Sequence, residues 1–208
     1  MALDLEEQEQ VDQLKALWKK YGDYVTRGAI AFFVLYGLFQ GWGYYQNKQS
    51  LSASELYQGI TVLDEKNTKE IIEKSQRLID DYSGTPYAGR AAILFAKASY
   101  ADGAKDKAKE KLEWASGHAK ESATESIALI QLGQILLEEK KYDEALKKAN
   151  AVDNEGYLGL SNDLKGDVLN AMGKKEDAKK AYLEALKRFG PKDAYARFTQ
   201  EKLESLGV

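Results

Sequence analysis

The chain has 208 residues, of which 44% are hydrophobic and 30% are charged, and its net charge at neutral pH is −3. This composition excludes a disordered chain, and the nearly balanced charge offers no basic surface for nucleic acid. The absence of cysteine excludes disulfides, thiolate catalysis and cysteine metal sites, and the presence of only two prolines favours long helices.

Residues 1–27 predict an amphipathic segment. Apolar side chains recur there at every third or fourth position, which places them on one helical face. These residues are Val11, Leu14, Trp18, Tyr21 and Val25. A helix of this kind lies along a membrane surface or against a partner protein. The simpler interpretation, a helical lead-in to the next segment, remains open.

Residues 28–47 contain no charged side chain. Twenty helical residues cover about 30 Å, which is the thickness of the hydrocarbon core of a membrane. Aromatic residues, which favour membrane interfaces, precede the segment and crowd its C-terminal end. The pattern predicts a single transmembrane helix. A cleaved signal peptide and a buried apolar helix are the alternatives.

The charges around this segment predict its orientation. Four basic residues precede it closely, whereas only Lys48 follows it before Lys66. The positive-inside rule therefore predicts a cytoplasmic N-terminus, with residues 48–208 on the far side of the membrane.

Within the same segment, Gly37 and Gly41 have the spacing that lets a second helix approach closely. Gln40 lies between them and is able to form a hydrogen bond to such a helix. We therefore predict that Gly37, Gln40 and Gly41 contact a partner helix in the membrane.

Three blocks within residues 48–208 share one helix–turn–helix pattern. In each block a small residue is followed by an alanine twelve positions later: Ala96 by Ala108, Gly133 by Ala145, and Gly166 by Ala178. Small residues let the two helices of a pair cross closely, and this spacing is typical of tetratricopeptide repeats. A generic helical bundle is the alternative.

Further helices are predicted around these three blocks. A degenerate pair covers residues 54–82, and a capping box from Asn67 to Glu70 opens its second helix. A longer connection is expected over residues 116–122, and a C-terminal capping helix over residues 193–206. The predicted fold is all-α, with a single N-terminal transmembrane helix followed by a tetratricopeptide-like helical-hairpin repeat domain and its capping helix.

The first helix of each pair lines the concave face of such a domain. Aligning the blocks predicts twelve lining residues: Arg90, Ile93, Lys97, Tyr100, Ile127, Ile130, Gln134, Leu137, Leu160, Asp163, Asp167 and Asn170. The middle of this face is apolar, which suits a groove for hydrophobic segments of unfolded or partner proteins. The alternative is that the C-terminal helix fills this face and the isoleucines belong to the core.

The sequence offers no catalytic centre. His118 is the one histidine and is predicted to lie in a loop. The acidic pairs Asp80–Asp81 and Glu138–Glu139 are sequence neighbours, whose side chains point apart on a helix. No phosphate-binding loop is present. We therefore expect no enzyme, no metal and no cofactor.

Five short stretches, in this order along the chain, carry a resemblance to a known family: EQVDQLKALWKKYG from Glu9, GWGYYQ from Gly41, SASELYQ from Ser52, DLKGDVL from Asp163 and AYLEAL from Ala181. In these stretches the chain resembles the YfgM family, the ancillary subunits of the SecYEG translocon. The resemblance implies a bacterial inner-membrane protein with a short cytoplasmic tail and a periplasmic tetratricopeptide-like domain. The implied partners are the SecYEG translocon, the PpiD chaperone and unfolded exported polypeptides.

The expected function is that of a non-enzymatic, membrane-anchored accessory protein of the export channel. It would bind partner proteins or newly translocated chains through its repeat domain and assist their hand-over to periplasmic chaperones. The alternative, also implied by the resemblance, is regulation of an envelope-stress response regulator through the cytoplasmic tail.

Overall fold

A computed structural model describes residues 5–190 and 193–207. All regular structure in these residues is helical, which confirms the all-α prediction for the described part of the chain. The α-helices are α1 (Leu5–Thr61), α2 (Thr68–Asp81), α3 (Pro86–Ala101), α4 (Lys105–His118), α5 (Ser122–Glu138), α6 (Tyr142–Asn150), α7 (Leu158–Ala171), α8 (Lys175–Arg188) and α9 (Ala194–Ser205). A short 3-10 helix, Glu155–Tyr157, precedes α7.

The chain divides into two compact units, one ending at Lys48 and the other beginning at Gln49. In the first unit the large apolar side chains of α1 are exposed, with Leu14, Phe33 and Phe39 among them.

Among the described residues, no helix combines the length and the apolar character needed to cross a membrane. This finding corrects the transmembrane helix predicted for residues 28–47. The reason is composition, because eleven of those twenty residues are Gly, Tyr, Trp, Gln or Asn. A stretch without charge is not necessarily strongly apolar.

In the second unit, the helices from α2 to α9 each pack against the next helix in the chain. The first helices of successive pairs also contact each other, α3 with α5 and α5 with α7. The result is a stack of helical hairpins, α3 with α4, α5 with α6 and α7 with α8. The end of α1 precedes α2 where the first pair was predicted, and it buries Ala53 and Ile60.

Close approach of helices explains the small residues of the repeat. A Cβ atom on Gly133 would lie 2.7 Å from Cδ2 of Leu164 and 3.5 Å from the carbonyl oxygen of Ala145. A Cβ atom on Gly166 would overlap the ring of Tyr182. The alanines twelve positions later, Ala145 and Ala178, are fully buried. The predicted spacing therefore marks positions where neighbouring helices leave no room for a side chain.

Two details differ from the prediction. The connection expected over residues 116–122 is mostly helix, because α4 continues to His118 and only residues 119–121 separate it from α5. The additional residues are helical, since α4 has 14 residues compared with 9 in α6, and α5 has 17 compared with 14 in α7. Asn67 is the N-cap residue of α2, but its side chain makes no capping hydrogen bond.

The C-terminal capping helix is present as α9. Asp193 is its N-cap, and Oδ1 of this residue accepts a hydrogen bond of 2.9 Å from the backbone N–H of Tyr195. Such a bond satisfies one of the free N–H groups at the start of a helix.

Candidate functional site

The predicted lining residues lie on α3, α5 and α7, and most of them border three cavities. The first cavity, of about 390 Å³, contains Arg90, Ile93 and Ile127. The second, of about 300 Å³, contains Lys97, Tyr100 and Gln134. The third, of about 280 Å³, contains Ile130, Gln134, Leu160 and Asp163. The other three predicted residues, Leu137, Asp167 and Asn170, border none of these cavities.

An ion pair between adjacent repeats closes one side of the first cavity. Nε of Arg90 donates a 2.8 Å hydrogen bond to Glu121, and Nη2 donates a second bond of 2.5 Å to the other carboxylate oxygen. These bonds lower the pKa of the Glu121 carboxyl below its ordinary value. The cavity also contains Tyr57 and Tyr157. Sequence analysis missed both, since they lie outside the first helices of the three aligned blocks.

The charged residues of the second cavity and Tyr100 are paired as well. The hydroxyl of Tyr100 donates a 2.5 Å hydrogen bond to Glu138, and Lys105 donates one of 2.9 Å to the same oxygen. The bond from Tyr100, together with that from Lys105, lowers the pKa of Glu138. Lys97 donates to Glu65 at 2.7 Å. The charges of this cavity are therefore largely neutralised within the protein.

The third cavity lies beside a polar network that joins α7 to α9. Nζ of Lys202 donates hydrogen bonds of 2.7 Å to both Asp163 and Asp167. The hydroxyl of Thr199 donates to Asp163 at 2.7 Å, and that of Tyr182 donates to Asp167 at 2.8 Å. The two predicted groove carboxylates therefore hold the C-terminal helix.

Burial and hydrogen bonding act against each other on the pKa values of this network. Burial raises the pKa of Asp167, because the charged carboxylate loses hydration. Burial alone would lower the pKa of Lys202, but the hydrogen bonds to Asp163 and Asp167 outweigh it and the pKa is raised. The lysine therefore stays charged and offsets the cost of the half-buried carboxylates.

The apolar side chains predicted to line the groove differ in their exposure to solvent. Ile130 is buried, whereas Ile93, Ile127 and Leu160 are half-buried. The third cavity gains two aromatic side chains from α9, Tyr195 and Phe198, which are 55% and 51% exposed. Sequence analysis missed them because the capping helix was assigned only a shielding role. Their spacing of three residues, which places both on one helical face, was the available signal.

The remaining predicted contact lies in the first unit. Nothing stands within 4 Å of a Cβ atom placed on Gly37 or on Gly41, so both positions are open. Nε2 of Gln40 donates a 3.2 Å hydrogen bond to the hydroxyl of Tyr36 on the same helix. In the part of the chain that the structure describes, no three histidine or acidic side chains group as a metal site.

Stacked helical hairpins whose first helices border a row of cavities define a tetratricopeptide-like repeat protein. A family model described as a tetratricopeptide repeat-like domain matches residues 15–208. A protein of Neisseria gonorrhoeae, named ancillary SecYEG translocon subunit, is 30% identical over 99% of this chain and 100% of its own length.

Proteins of the same name are similar to this chain in two further organisms. The one from Aggregatibacter actinomycetemcomitans is 26% identical, over 91% of this chain and 93% of its own length. The one from Escherichia coli is 23% identical, over 97% of both chains. No solved structure is significantly similar. The chain belongs to the family of ancillary SecYEG translocon subunits with a tetratricopeptide-like domain, which confirms the resemblance noted in its sequence.

Proposed function

We propose that this protein is a non-enzymatic accessory subunit of the SecYEG translocon whose repeat domain binds polypeptides that leave the channel. It would hold newly translocated chains on the periplasmic side and assist their hand-over to chaperones, PpiD among them. The three cavities along α3, α5 and α7 support this proposal. They combine half-buried apolar side chains with charges that are already paired inside the protein, and unfolded segments are recognised mainly through their apolar side chains.

Attachment to the translocon is assigned to the first unit. Its α1 exposes large apolar side chains that water solvates poorly and that a membrane-embedded partner would cover. We propose that Gly37 and Gly41, which are open on the helix surface, let a translocon helix approach closely. Gln40 would then exchange its hydrogen bond with Tyr36 for one to the partner.

Site-specific photo-crosslinking in intact cells tests both assignments. A photoreactive residue replaces Gln134, which is exposed and borders two cavities, and a second variant carries it at Gly41. We expect exported chains or a chaperone at Gln134 and translocon subunits at Gly41. A probe at Glu184, exposed on the outer helix α8, is the control for non-specific adducts. Equal adducts at Gln134 and Glu184 would contradict a binding role for the cavities.

Regulation of an envelope-stress response regulator through residues 1–27 is a second candidate function, and one observation favours it. Trp18 and Leu14 are 62% and 67% exposed on α1, on the face predicted to bind a partner such as a response regulator. Deleting residues 1–20 separates the two functions. Changed envelope-stress signalling with intact crosslinks at Gly41 supports regulation, whereas unchanged signalling argues against it.

A further inference from the structure

The third cavity has two walls of different origin. Ile130 on α5 and Leu160 on α7 form one wall, and Tyr195 and Phe198 on α9 form the other. We propose that α9 is part of the binding site as well as a cap, and that this cavity takes one large, uncharged apolar side chain of an unfolded polypeptide. The proposal rests on the proposed function and names the kind of segment that the groove selects.

Exposed aromatic rings are not what a capping helix requires. The most buried residues of this C-terminal segment are Thr199 and Leu206, which are 1% and 2% exposed. A cap shields the last repeat with this inner face and otherwise needs a polar surface. Tyr195 and Phe198 instead border the cavity and leave about half of their surface in water. An apolar ligand would cover this surface, which favours binding.

The charges around the cavity select against a charged ligand. Two charged residues border it, Asp163 and Lys202, and they bind each other at 2.7 Å. The hydroxyl of Thr199 is also engaged, since it donates to Asp163. A charged side chain that entered would lose its hydration and find these groups already paired. An uncharged apolar side chain has no such cost.

The size and position of the cavity favour an extended ligand. A volume of about 280 Å³ has room for a large side chain but not for a folded element. Gln134 borders both this cavity and the second one, so the two adjoin. A segment with one apolar side chain in the third cavity is therefore able to continue into the second.

Methyl NMR on the full-length chain tests the proposal. The reporters are the δ1 methyl groups of Ile130 in the third cavity and Ile127 in the first. The probes are capped tripeptides with glycine on both sides of a central phenylalanine, glutamate or lysine. We expect the phenylalanine peptide to shift the Ile130 signal in a saturable way, and the two charged peptides to leave it unchanged.

Two variants decide whether α9 takes part in binding the peptide. Phe198→Ala is expected to weaken binding of the phenylalanine peptide about tenfold or more. The control Leu183→Ala removes an exposed apolar side chain of α8 outside the cavity and should leave the affinity unchanged. Because Phe198 is half exposed, its removal should preserve the fold, which thermal unfolding of the variant checks.

Several outcomes would overturn the inference. These are an unshifted Ile130 signal, equal shifts with charged peptides, or unaltered affinity in Phe198→Ala. Shifts confined to Ile127 would place binding in the first cavity, which rejects the α9 site but leaves the proposed function intact. If no crosslinks form at Gly41 and Gln134 in cells although the phenylalanine peptide shifts the Ile130 signal, the export function is rejected instead.

Discussion

At the scale of single residues, glycine is required where the two helices of the last pair cross. Gly166 faces the ring of Tyr182, whose side chain is buried and donates a hydrogen bond to Asp167. The ring cannot move away without breaking that bond or opening the core. Glycine is therefore present for close packing and not for an unusual backbone conformation.

We expect Gly166→Ala to destabilise the repeat domain by about 1–3 kcal/mol, because the new methyl group overlaps the Tyr182 ring. The matched control is Gly117→Ala in α4, where nothing lies within 4 Å of the new Cβ atom. That change should stabilise the domain by about 0.5–1 kcal/mol, since alanine favours helix. Urea unfolding, monitored by circular dichroism, measures the free energy of unfolding of both variants. A neutral or stabilising effect at Gly166 would contradict the packing argument.

Ion pairs between repeats respond to acid. Lys109 on α4 donates a hydrogen bond to Glu139, and Lys141 forms an ion pair with the same carboxylate. Together they lower the pKa of the Glu139 carboxyl to about 2 from an ordinary 4.5. Because the folded pKa lies below the unfolded one, the pair contributes stability above pH 4.5 and loses it as the pH falls towards 2.

The variant Glu139→Gln should therefore be less stable than the parent at neutral pH and approach it in stability as the pH falls from 4.5 towards 2. Urea midpoints measured across this range test the expectation. Glu184→Gln, which removes an exposed carboxylate paired with Lys187 on the same helix, controls for the general loss of a charge. A constant difference between Glu139→Gln and the parent at every pH would contradict the assignment.

At the scale of helices, a network of polar contacts helps to hold α9. Lys202 binds Asp163 and Asp167, Thr199 binds Asp163, and Lys175 of α8 donates a 3.0 Å hydrogen bond to the carbonyl oxygen of Leu206. Such a network depends on each partner, because removal of one leaves a half-buried charge without its counterion.

Lys202→Met keeps the length of the side chain and removes its charge. We expect a loss of about 1–3 kcal/mol, less than for a fully buried pair because the lysine side chain is 37% exposed. Burial already raises the pKa of Asp167, so the loss should shrink at acidic pH, where this carboxyl is protonated. Faster amide hydrogen exchange in α9 would report the loosened helix.

Lys187→Met is the matched control for this substitution, since Lys187 and its partner Glu184, three residues away on α8, are both exposed. Its effect should stay within about 0.5 kcal/mol. If both variants exchange at the same rate in α9, the polar network does not hold the helix.

At the scale of the whole molecule, the described part of the repeat domain has two cores of unequal size. The large one extends from Ile60 to Val168 and includes residues from the end of α1 to α7. The small one contains Ala178, Tyr182 and Leu206, with Leu169 and Leu203 packed against it. In repeat proteins each unit is stabilised mainly by its neighbours, so ends with few apolar contacts open first.

We therefore expect α8 and α9 to open before α3 to α7 in native-state hydrogen exchange. Leu206→Ala should accelerate exchange only in α8 and α9. Leu132→Ala, in the large core, should cost about 2–5 kcal/mol and accelerate exchange in α3 to α7. Uniform acceleration of the whole domain by Leu206→Ala would indicate one cooperative unit.

The sequence alone was sufficient to predict the local features of this fold. The spacing from Gly133 to Ala145 and from Gly166 to Ala178 predicted the helix crossings, because a close crossing excludes every larger side chain. It also predicted α9 and placed Arg90, Ile93 and Ile127 on one face, where they share a cavity. Helical periodicity encodes these features within a few turns of chain.

Only the tertiary structure decided which groups meet across repeats. Asp163 and Asp167 were predicted to line the groove, but they bind Lys202, 39 and 35 residues away in the sequence. Tyr195 and Phe198 reached the third cavity through the placement of α9. Local periodicity gives the face on which a side chain lies, whereas its partner depends on how the helices stack, and that is set by contacts distant in the sequence.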